Sequence, residues 1–438
     1  MSCTRHEIME FVKENEVKFI RLSFCDIFGQ KKNIAIMARE LEQVLENGMP
    51  FDGGAVAGFA GTARSDLVLM PDLNTMAALP WRPGPGRVLR FFCDIKTPEG
   101  TSFPLDSRCV LKNAVEKAAE RGYGCTVGAE CEFTLFKTDE SGDPTAIPID
   151  RGGYLDIAPL DRGEDIRREI CLTLEEMGIY PETSHHERGH GQNEIDFRPG
   201  DALSCADNFL TFKNVVRAIA SRNGLHASFM PKPIAEAPGN GLHVNLSLSQ
   251  DGVNIFKNTN EGHSAAAESF IAGILAMAPE ITLFLNPLAN SYERLGRLEA
   301  PGYVSWSHQN RSQLIRIPAA SGEKVRLELR SPDPAVNPYT AFALIIAAGF
   351  HGIDGGLRLP RPVNADLYKD RETAQRLIPL PPSLNEAIEI AKGSSFARAV
   401  IGQELFSKYI CLKEKEAAET ALPPDGSEAY RKKYFGII

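Results

Sequence analysis

The segment Ala129-Glu130-Cys131-Glu132-Phe133-Thr134-Leu135 alternates polar and apolar side chains. Period-two alternation is typical of a β-strand with one buried face. In such a strand the two glutamates lie on one face, and the cysteine, phenylalanine and leucine lie on the other. The segment therefore predicts a strand of a sheet whose two faces have different roles, one forming core and the other presenting carboxylates.

Four further segments repeat this alternation, with charged, amide, hydroxyl or imidazole side chains on one face. They are His243-Val244-Asn245-Leu246-Ser247-Leu248, Val325-Arg326-Leu327-Glu328-Leu329-Arg330, Gln192-Asn193-Glu194-Ile195-Asp196 and Gln313-Leu314-Ile315-Arg316-Ile317. Each one alone is compatible with a solvated sheet face. These faces lack lysine, however, and Glu, His and Arg are the residues that bind cations and clamp phosphate or carboxylate groups. Together they predict a polar funnel that holds divalent ions beside a phosphorylated substrate.

The composition bounds the class of protein. The chain has 438 residues, of which 43% are hydrophobic and 24% charged, and this excludes a disordered or collagen-like protein. Lys and Arg number 48 against 57 Asp and Glu, a formal net charge of −9, so we expect no binding to nucleic acid or anionic membranes. The longest apolar run, residues 341–350, is about half of a membrane span, and the N-terminal residues do not resemble a secretory signal. We expect a cytoplasmic protein whose nine scattered cysteines are reduced.

The order of patterns along the chain predicts a small N-terminal unit. Alternation over residues 18–24 predicts a strand, and the Gly-rich residues 51–59 predict a long loop. Pro and Gly interrupt the chain again at residues 81–87. A boundary near residue 102 then precedes a helix that Asp106 is expected to begin.

The run His186-Glu187-Arg188-Gly189-His190 matches the HExxH signature of zinc proteases. That chemistry requires both histidines on one face of a helix. The helix expected over residues 165–177 ends at Gly178, and Gly189 lies inside the motif, so we interpret the run as a loop that leads into a strand. A metalloprotease is the alternative enzyme class, which zinc content and peptidase activity would test. The chain has no Walker A, GxGxxG or GxSxG motif.

An ordered series of motifs covers nearly the whole chain and resembles glutamine synthetase of the bacterial type I class. The motifs are Phe24-Cys25-Asp26-Ile27-Phe28-Gly29, Phe51-Asp52-Gly53, Ser65-Asp66, Pro71-Asp72, Gly128-Ala129-Glu130-Cys131-Glu132-Phe133, His185-His186-Glu187, Gly191-Gln192-Asn193-Glu194, Gly239-Asn240-Gly241-Leu242-His243, Asn290-Ser291-Tyr292-Glu293-Arg294-Leu295, Asn310-Arg311-Ser312, Ile315-Arg316-Ile317-Pro318, Arg326-Leu327-Glu328-Leu329-Arg330 and Pro332-Asp333-Pro334. The resemblance implies an α+β fold, with a β-grasp N-terminal domain over residues 1–102. A catalytic domain over residues 103–438 would contain a curved antiparallel sheet flanked by helices. The resemblance also implies a homo-oligomer, a dodecamer of two stacked hexameric rings, with each active site between neighbouring subunits.

The resemblance further implies an ATP-dependent ligase. In this reaction ATP, a co-substrate, phosphorylates the γ-carboxylate of glutamate, and ammonia then displaces the phosphate. Two Mg²⁺ or Mn²⁺ ions per active site would neutralise the phosphoryl group as it transfers. The residues implied for one ion are Glu132, Glu187 and Glu194, and those for the other are Glu130, His243 and Glu328.

The remaining site residues carry over by role. The resemblance implies that phosphate is clamped by Arg311, Arg316 and Arg326. It implies that the nucleotide pocket includes Glu182 and Ser247. It implies that glutamate and its activated carboxylate are bound by Gly239, Asn240, Arg294 and Arg330. For the amine step it implies Asp52 as a general base contributed across the subunit interface, an ammonium pocket of Tyr154, Glu187 and Glu299, and His185 beside the transferred phosphate.

Three departures from the family pattern concern substrate recognition. The amine-site motif reads Asp52-Gly53-Gly54-Ala55 in place of Asp-Gly-Ser-Ser, the flap over residues 294–299 is shortened, and residues 238–243 replace the usual Asn-Gly-Ser-Gly-Met-His. Asn240 would then either replace the missing amide or belong to a different amino-acid pocket. One alternative is a γ-glutamyl ligase for methylamine, ethanolamine or a polyamine, and another is a catalytically silent paralogue. Tyr368 lies near a position that is adenylylated in some members, but the short match favours an ordinary surface tyrosine.

Overall fold

A computed structural model of the protein describes residues 4–59, 61, 65–80, 86–257, 263–420 and 426–438. Of the Pro- and Gly-rich segment at 81–87, residues 81–85 lie outside this part of the chain, as does Cys3. The eight other cysteines are free thiols, as expected, and five of them are buried.

The N-terminal region is a six-stranded sheet with two helices. Its elements are α1 (Arg5–Glu14), β1 (Phe19–Cys25), β2 (Lys31–Met37), α2 (Leu41–Asn47), β3 (Met49–Asp52), β4 (Asp66–Pro71), β5 (Ala77–Ala78) and β6 (Val88–Lys96). The strand order is β2-β1-β6-β4-β3, β5 pairs with β6, and β1 runs parallel to β6. The strand expected over residues 18–24 is confirmed. The loop expected over 51–59 is wrong at its start, because Phe51 and Asp52 pair with β4 and only then does a short 3₁₀ turn begin.

The larger sheet has eleven strands and is built around one long central strand. Its strands are β7 (Tyr123–Thr138), β8 (Pro144–Pro148), β9 (Pro181–His186), β10 (Gln192–Phe197), β11 (Gly200–Asp201), β12 (Leu225–Ser228), β13 (Leu242–Gln250), β14 (Val253–Asn254), β15 (Trp306–His308), β16 (Ile315–Ile317) and β17 (Leu327–Leu329). The main order is β15-β16-β17-β13-β7-β10-β9, and every pairing is antiparallel except β15 with β16. All five segments that alternate in the sequence form strands of this sheet.

Helices flank this sheet, some packed against its strands and others against those helices. They are α3 (Ser107–Glu120), α4 (Glu164–Glu176), α5 (Ala202–Arg222), α6 (Ala265–Leu285), α7 (Pro338–Asp354), α8 (Arg371–Ala374), α9 (Leu384–Gly393), α10 (Ser395–Ile401), α11 (Gln403–Thr420) and α12 (Gly426–Tyr434). Asp106 caps α3, as predicted, by accepting a hydrogen bond from the Arg108 backbone N–H. The helix expected over 165–177 is confirmed as α4, and Gly178 follows it with φ +76°.

Helices α6 and α7 approach each other backbone to backbone. A Cβ on Gly273 of α6 would lie 2.2 Å from the Ala348 carbonyl oxygen, and a Cβ on Gly352 of α7 would lie 1.9 Å from that of Ser269. Among the described residues, α6 is the one helix long and apolar enough to cross a membrane by length and composition alone. Two thirds of its most apolar stretch, 67%, is buried inside the protein, and this is the position of a core helix.

A buried arginine joins the two sheets' regions. Arg108 of α3 is 3% exposed and forms ion pairs with Asp72 at 2.9 Å and Asp94 at 2.6 Å, both in the N-terminal region. It also pairs with Asp207 of α5 at 2.9 Å, and the Tyr339 hydroxyl donates to the same carboxylate. Because one guanidinium supplies donors to three carboxylates, the N-terminal sheet is fixed relative to the larger sheet.

Candidate active site

Strand register brings the predicted polar residues together on the larger sheet. Glu130 of β7 lies opposite His243 of β13 on one side and opposite Asp196 of β10 on the other. Glu132 lies opposite Glu194. Because side chains alternate between faces, these residues converge on one side of the sheet while their neighbours enter the core.

This polar face lines a cavity of about 580 Å³. Fourteen of the residues expected in the site line it: Glu130, Glu132, Tyr154, His185, Glu187, Glu194, Gly239, His243, Arg294, Glu299, Arg311, Arg316, Arg326 and Arg330. Carboxylates and imidazoles are concentrated on β7, β9, β10 and β13, and arginines on the segments that face them. The arrangement is therefore a charged funnel, as the alternating strands predicted.

The residues of one expected cation-binding set lie close together. Glu130, His243 and Glu328 each offer a ligand atom, and these atoms lie within 4.8 Å of one another. His243 Nδ1 is 3.4 Å from Glu130 and 3.8 Å from Glu328. Oxygen and imidazole donors in this number suit a divalent cation such as Mg²⁺ or Mn²⁺.

The other expected set is close together but grouped differently. Glu194 forms one cluster with Glu132 and His243, and a second cluster with His185 and Glu187. The structure therefore does not bring Glu132, Glu187 and Glu194 into a single three-residue cluster. Glu194 connects the two groups.

The carboxylates of the funnel repel one another. Burial and neighbouring carboxylates raise the pKa of Glu187 to about 8 and that of Asp196 to about 7. Burial alone would raise the pKa of Glu130 as well, but the hydrogen bond and charge of His243 outweigh it and lower that pKa to about 2. Cations between these groups would relieve the repulsion, so the site's electrostatics fit bound divalent ions.

Two arginines neutralise the deepest carboxylate. Glu328 is fully buried and pairs with both Arg316 and Arg330. Arg330 also donates from Nε to the Arg311 carbonyl at 3.1 Å. The arginine cluster is thereby anchored to the cation-binding cluster through one glutamate.

A second cavity of about 490 Å³ adjoins the first on the sheet. It contains both residues expected in the nucleotide pocket, Glu182 and Ser247, and shares Glu130, Asp196 and Arg326 with the first cavity. The shared residues place the two cavities side by side.

Asn240 does not face the cavity. Its side chain is fully buried, its amide nitrogen donates to the Met230 carbonyl at 2.9 Å, and its amide oxygen accepts from Thr134 at 3.1 Å. The expectation that its amide binds glutamate is therefore not supported by its position. Gly239 does line the cavity, and a Cβ there would lie 2.3 Å from the Pro231 carbonyl oxygen, so only glycine fits.

The three residues expected to form the ammonium pocket, Tyr154, Glu187 and Glu299, all line the cavity. The Tyr154 ring packs edge-on against His185, with centroids 5.6 Å apart. Glu299 has φ +76° and follows Leu298 with φ +39°, conformations that cost non-glycine residues about 1–3 kcal/mol each. Its carboxylate forms an ion pair with Arg188 at 3.1 Å.

Asp52 is not part of the cavity formed by this chain. It is exposed in the N-terminal sheet, where its carboxylate accepts a hydrogen bond from the Gly54 backbone at 2.8 Å. Its predicted role, at the cavity of a neighbouring subunit, stays a prediction. Tyr368 is 38% exposed, and its hydroxyl donates to the Arg311 carbonyl at 3.4 Å.

Three polar residues to which the sequence analysis assigned no role also line the cavity. Asp196 lies two residues beyond Glu194, on the polar face of the alternating segment over residues 192–196, so the period of the strand already indicated its direction. The Gln192 amide donates to Glu132 at 3.0 Å and orients that carboxylate. Arg188 lies in a loop, where no periodicity indicates the direction of a side chain.

A buried network supports the loop that carries Glu187. His186 Nε2 is 2.9 Å from Asp150, and its Nδ1 is 2.6 Å from the Glu187 carbonyl. Asp150 also accepts a hydrogen bond from the Gly191 backbone N–H, and the nearby Asp161 carboxylate accepts one from Arg167. With these contacts the histidine orients the loop.

The HExxH run is a loop, as predicted. His186 ends β9, and β10 begins at Gln192, so its two histidines do not share a helix face. His186 is fully buried and held by Asp150, whereas His190 is exposed. The geometry of a helical zinc-protease motif is absent from this segment.

The chain has a two-domain α+β fold, with a funnel of carboxylates, histidines and arginines on an antiparallel sheet. This arrangement is typical of an enzyme that uses cations to act on anionic substrates. Residues 104–431 match the family described as glutamine synthetase, catalytic domain, and residues 16–98 match glutamine synthetase, β-grasp domain. The chain therefore belongs to the glutamine synthetase family of ligases, and the fold expected from the sequence is confirmed.

Individual relatives agree with this family. Over 419 residues the chain is 48% identical to a glutamine synthetase of Clostridium saccharobutylicum, covering 94% of this chain and 95% of that one. It is also 48% identical to one of Methanosarcina mazei, over 94% of each chain. A solved structure described as a GmaS/ADP complex superposes with a TM-score of 0.88 at 30% identity, covering 99% of both chains. GmaS without ligand gives 0.87 at 31% identity, covering 96% of this chain and 98% of that one.

Proposed function

We propose that this protein joins ammonia to the γ-carboxylate of glutamate at the expense of ATP, through γ-glutamyl phosphate. The observation that carries the proposal is the funnel itself. Its cluster of Glu130, His243 and Glu328 is joined to two arginines, which both form ion pairs with Glu328. Opposite charges on the two sides of one cavity suit a reaction that transfers a phosphoryl group between two anions. The 43–48% identical relatives named glutamine synthetase support this assignment.

The carboxylates and His243 would hold two divalent ions, Mg²⁺ or Mn²⁺. When bound, such ions neutralise the negative charge of the phosphates. The second cavity, with Glu182 and Ser247, would bind the nucleotide. The similar structure of GmaS is described as a complex with ADP. Arg311, Arg316 and Arg326 would then lie beside the phosphate chain.

The arginines near the flap would bind glutamate. Arg294 and Arg330 are buried and line the cavity, where a guanidinium can bind a carboxylate. Gly239 leaves room for the amino acid to approach the backbone. A closed flap at Glu299 would exclude water, because γ-glutamyl phosphate is hydrolysed when water enters.

The amine step would require a second copy of the chain. Asp52 is exposed and outside its own cavity, and we propose that it reaches the site of a neighbouring subunit, where it removes a proton from ammonium. We propose that the chains form a dodecamer of two hexameric rings in the cytoplasm. The N-terminal domain over residues 1–102 would provide the shared contacts, and the catalytic domain over residues 103–438 the funnel.

Phosphate release is the decisive measurement. The protein should release phosphate from ATP in the presence of glutamate, Mg²⁺ and ammonium, and should form glutamine in equal amount. If phosphate is released with methylamine, ethanolamine or a polyamine but not with ammonium, that amine is the nitrogen donor in place of ammonia. Nucleotide binding without turnover on any donor would indicate a silent paralogue.

One observation favours the organic-amine alternative. Ala55 replaces a hydroxyl residue of the family's amine-site motif and is exposed beside Asp52. A lost hydroxyl removes one ligand of ammonium and opens space for an alkyl group. Glutamine formation at saturating ammonium, compared with γ-glutamylamide formation across the amine panel, separates the two donors.

A further inference from the structure

Arg188 occupies the end of the cavity where the nitrogen donor is expected. Its backbone N–H donates to the Glu187 carboxylate at 3.0 Å, and its Nε lies 3.1 Å from the Glu299 carboxylate. The guanidinium carbon lies 5.7 Å from the centroid of the Tyr154 ring. The side chain is 56% exposed, so it is located at the mouth of the cavity and can move without disrupting the core.

These contacts are the ones that a cationic nitrogen donor would use. Ammonium and alkylammonium ions are positively charged at neutral pH, and carboxylates and aromatic faces bind such ions. Glu299 supplies the carboxylate and Tyr154 the ring. Arg188 already satisfies both, since its guanidinium forms the ion pair and lies within about 6 Å of the ring, the usual range for a cation–π contact.

We propose that Arg188 sets the apparent affinity for the nitrogen donor, by competing as a built-in cation for the carboxylate of Glu299 and the face of Tyr154. This inference rests on the proposed function, because it assumes that a cationic donor enters this end of the cavity. An incoming ammonium or alkylammonium ion must displace the guanidinium before it can bind. Arg188 is thus a specificity-determining residue, and the donor's KM includes the free energy of breaking its ion pair.

The side-chain exposure sets the size of the effect. Glu299 is 37% exposed, and exposed ion pairs contribute about 0.2–1 kcal/mol. Breaking such a pair corresponds to a change in donor affinity of up to about fivefold. Glutamate and ATP do not compete with Arg188 for Glu299, so their KM values should be independent of it.

The test is to measure the KM for ammonium and methylammonium in Arg188→Met and Arg188→Lys. Methionine keeps much of the length of the side chain but removes the charge, so the donor KM should fall about two- to fivefold. The KM for glutamate and for ATP should stay within about twofold. Lysine restores a cation and should return the donor KM most of the way to the original value.

Arg198→Met is a matched control. Arg198 is an exposed arginine whose guanidinium also lies 5.7 Å from a tyrosine ring, that of Tyr180, but it does not line the cavity. This variant should leave every KM unchanged. Thermal unfolding of each variant verifies that the fold is intact.

The possible failures are distinguishable. If the unaltered protein turns over with ammonium or an alkylamine but Arg188→Met has an unchanged or higher donor KM, the inference is overturned and the proposed function stands. A higher KM would mean that Arg188 supports the donor site, by holding the Glu299 carboxylate in place, and does not compete with the donor. If the unaltered protein turns over with no cationic donor, the proposed function and this inference both fail.

Discussion

At the scale of single residues, the proposed cation-binding cluster depends on the charge of its glutamates. Glu130 is central, because it lies between His243 and Asp196 in the strand register and receives a hydrogen bond from Asn245 at 2.7 Å. Its low pKa means that it is ionised whenever the protein is folded near neutral pH. It is therefore the residue at which the proposed cluster is best tested.

Glu130→Gln should weaken the binding of Mn²⁺ at one site at least about tenfold, since even outer contacts of metal ligands typically contribute 10–100-fold. The substitution preserves size and removes only the charge. A titration that measures free Mn²⁺ by electron paramagnetic resonance checks the result. Glu140→Gln, in the exposed turn after the same strand, is the control and should bind normally. Equal affinity in both variants would contradict a role for Glu130 as a ligand.

At the scale of elements, helix α3 is connected to the N-terminal sheet by ion pairs. Arg108→Ala leaves Asp72, Asp94 and Asp207 without their shared partner. Removing one member of a buried ionic network costs about 3–5 kcal/mol, so the free energy of unfolding in urea should fall by that amount. Arg121→Ala, whose ion pair with Asp354 is half exposed, should cost less than about 1 kcal/mol. Similar losses in the two variants would contradict the role assigned to Arg108.

Helix α5 contains a buried lysine that gives stability a pH dependence. Burial lowers the pKa of Lys213 to about 7, and its ammonium donates to the Pro334 carbonyl at 2.6 Å. Between pH 7 and the ordinary lysine pKa of about 10.4, the unfolded chain binds this proton and the folded chain does not, so this group's contribution to stability rises with pH. The free energy of unfolding relative to Lys213→Met should increase from pH 7 to pH 9.5 in urea titrations. A difference that stays constant over that range would show that Lys213 is charged in the fold.

Much of the larger sheet could be predicted from its sequence, because period two separates the faces of a strand whatever its neighbours. Glu130, Glu132, His243 and Glu328 were identified in this way. The grouping of Glu194 was not, since it depends on the register between β7, β9 and β10. The burial of Asn240 was not predictable either, because its amide is satisfied by the Met230 carbonyl and by the side chain of Thr134, which is distant in sequence.

At the scale of the whole molecule, the proposed reaction needs two chains for one site. If Asp52 acts on a neighbour's cavity, each site takes Asp52 from one chain and Glu328 from the next. The substitutions Asp52→Ala and Glu328→Ala then affect different chains of one site. Subunits of the two inactive variants, co-expressed in equal amounts and assembled at random, should recover about one quarter of the activity. Chains that carry both substitutions should recover none. Recovery of no activity in the mixed assembly would place Asp52 outside the neighbouring site.

The close contact of α6 and α7 has a consequence for folding during synthesis on the ribosome. Helix α6 leaves the ribosome before α7 is made, and at about 5–20 residues per second it waits several seconds for the glycine surface that covers it. During that interval a helix with the apolar character of a membrane span is uncovered. Glu268 and Glu280 within it are costly in lipid, so they favour retention of the nascent segment in water until its partner arrives.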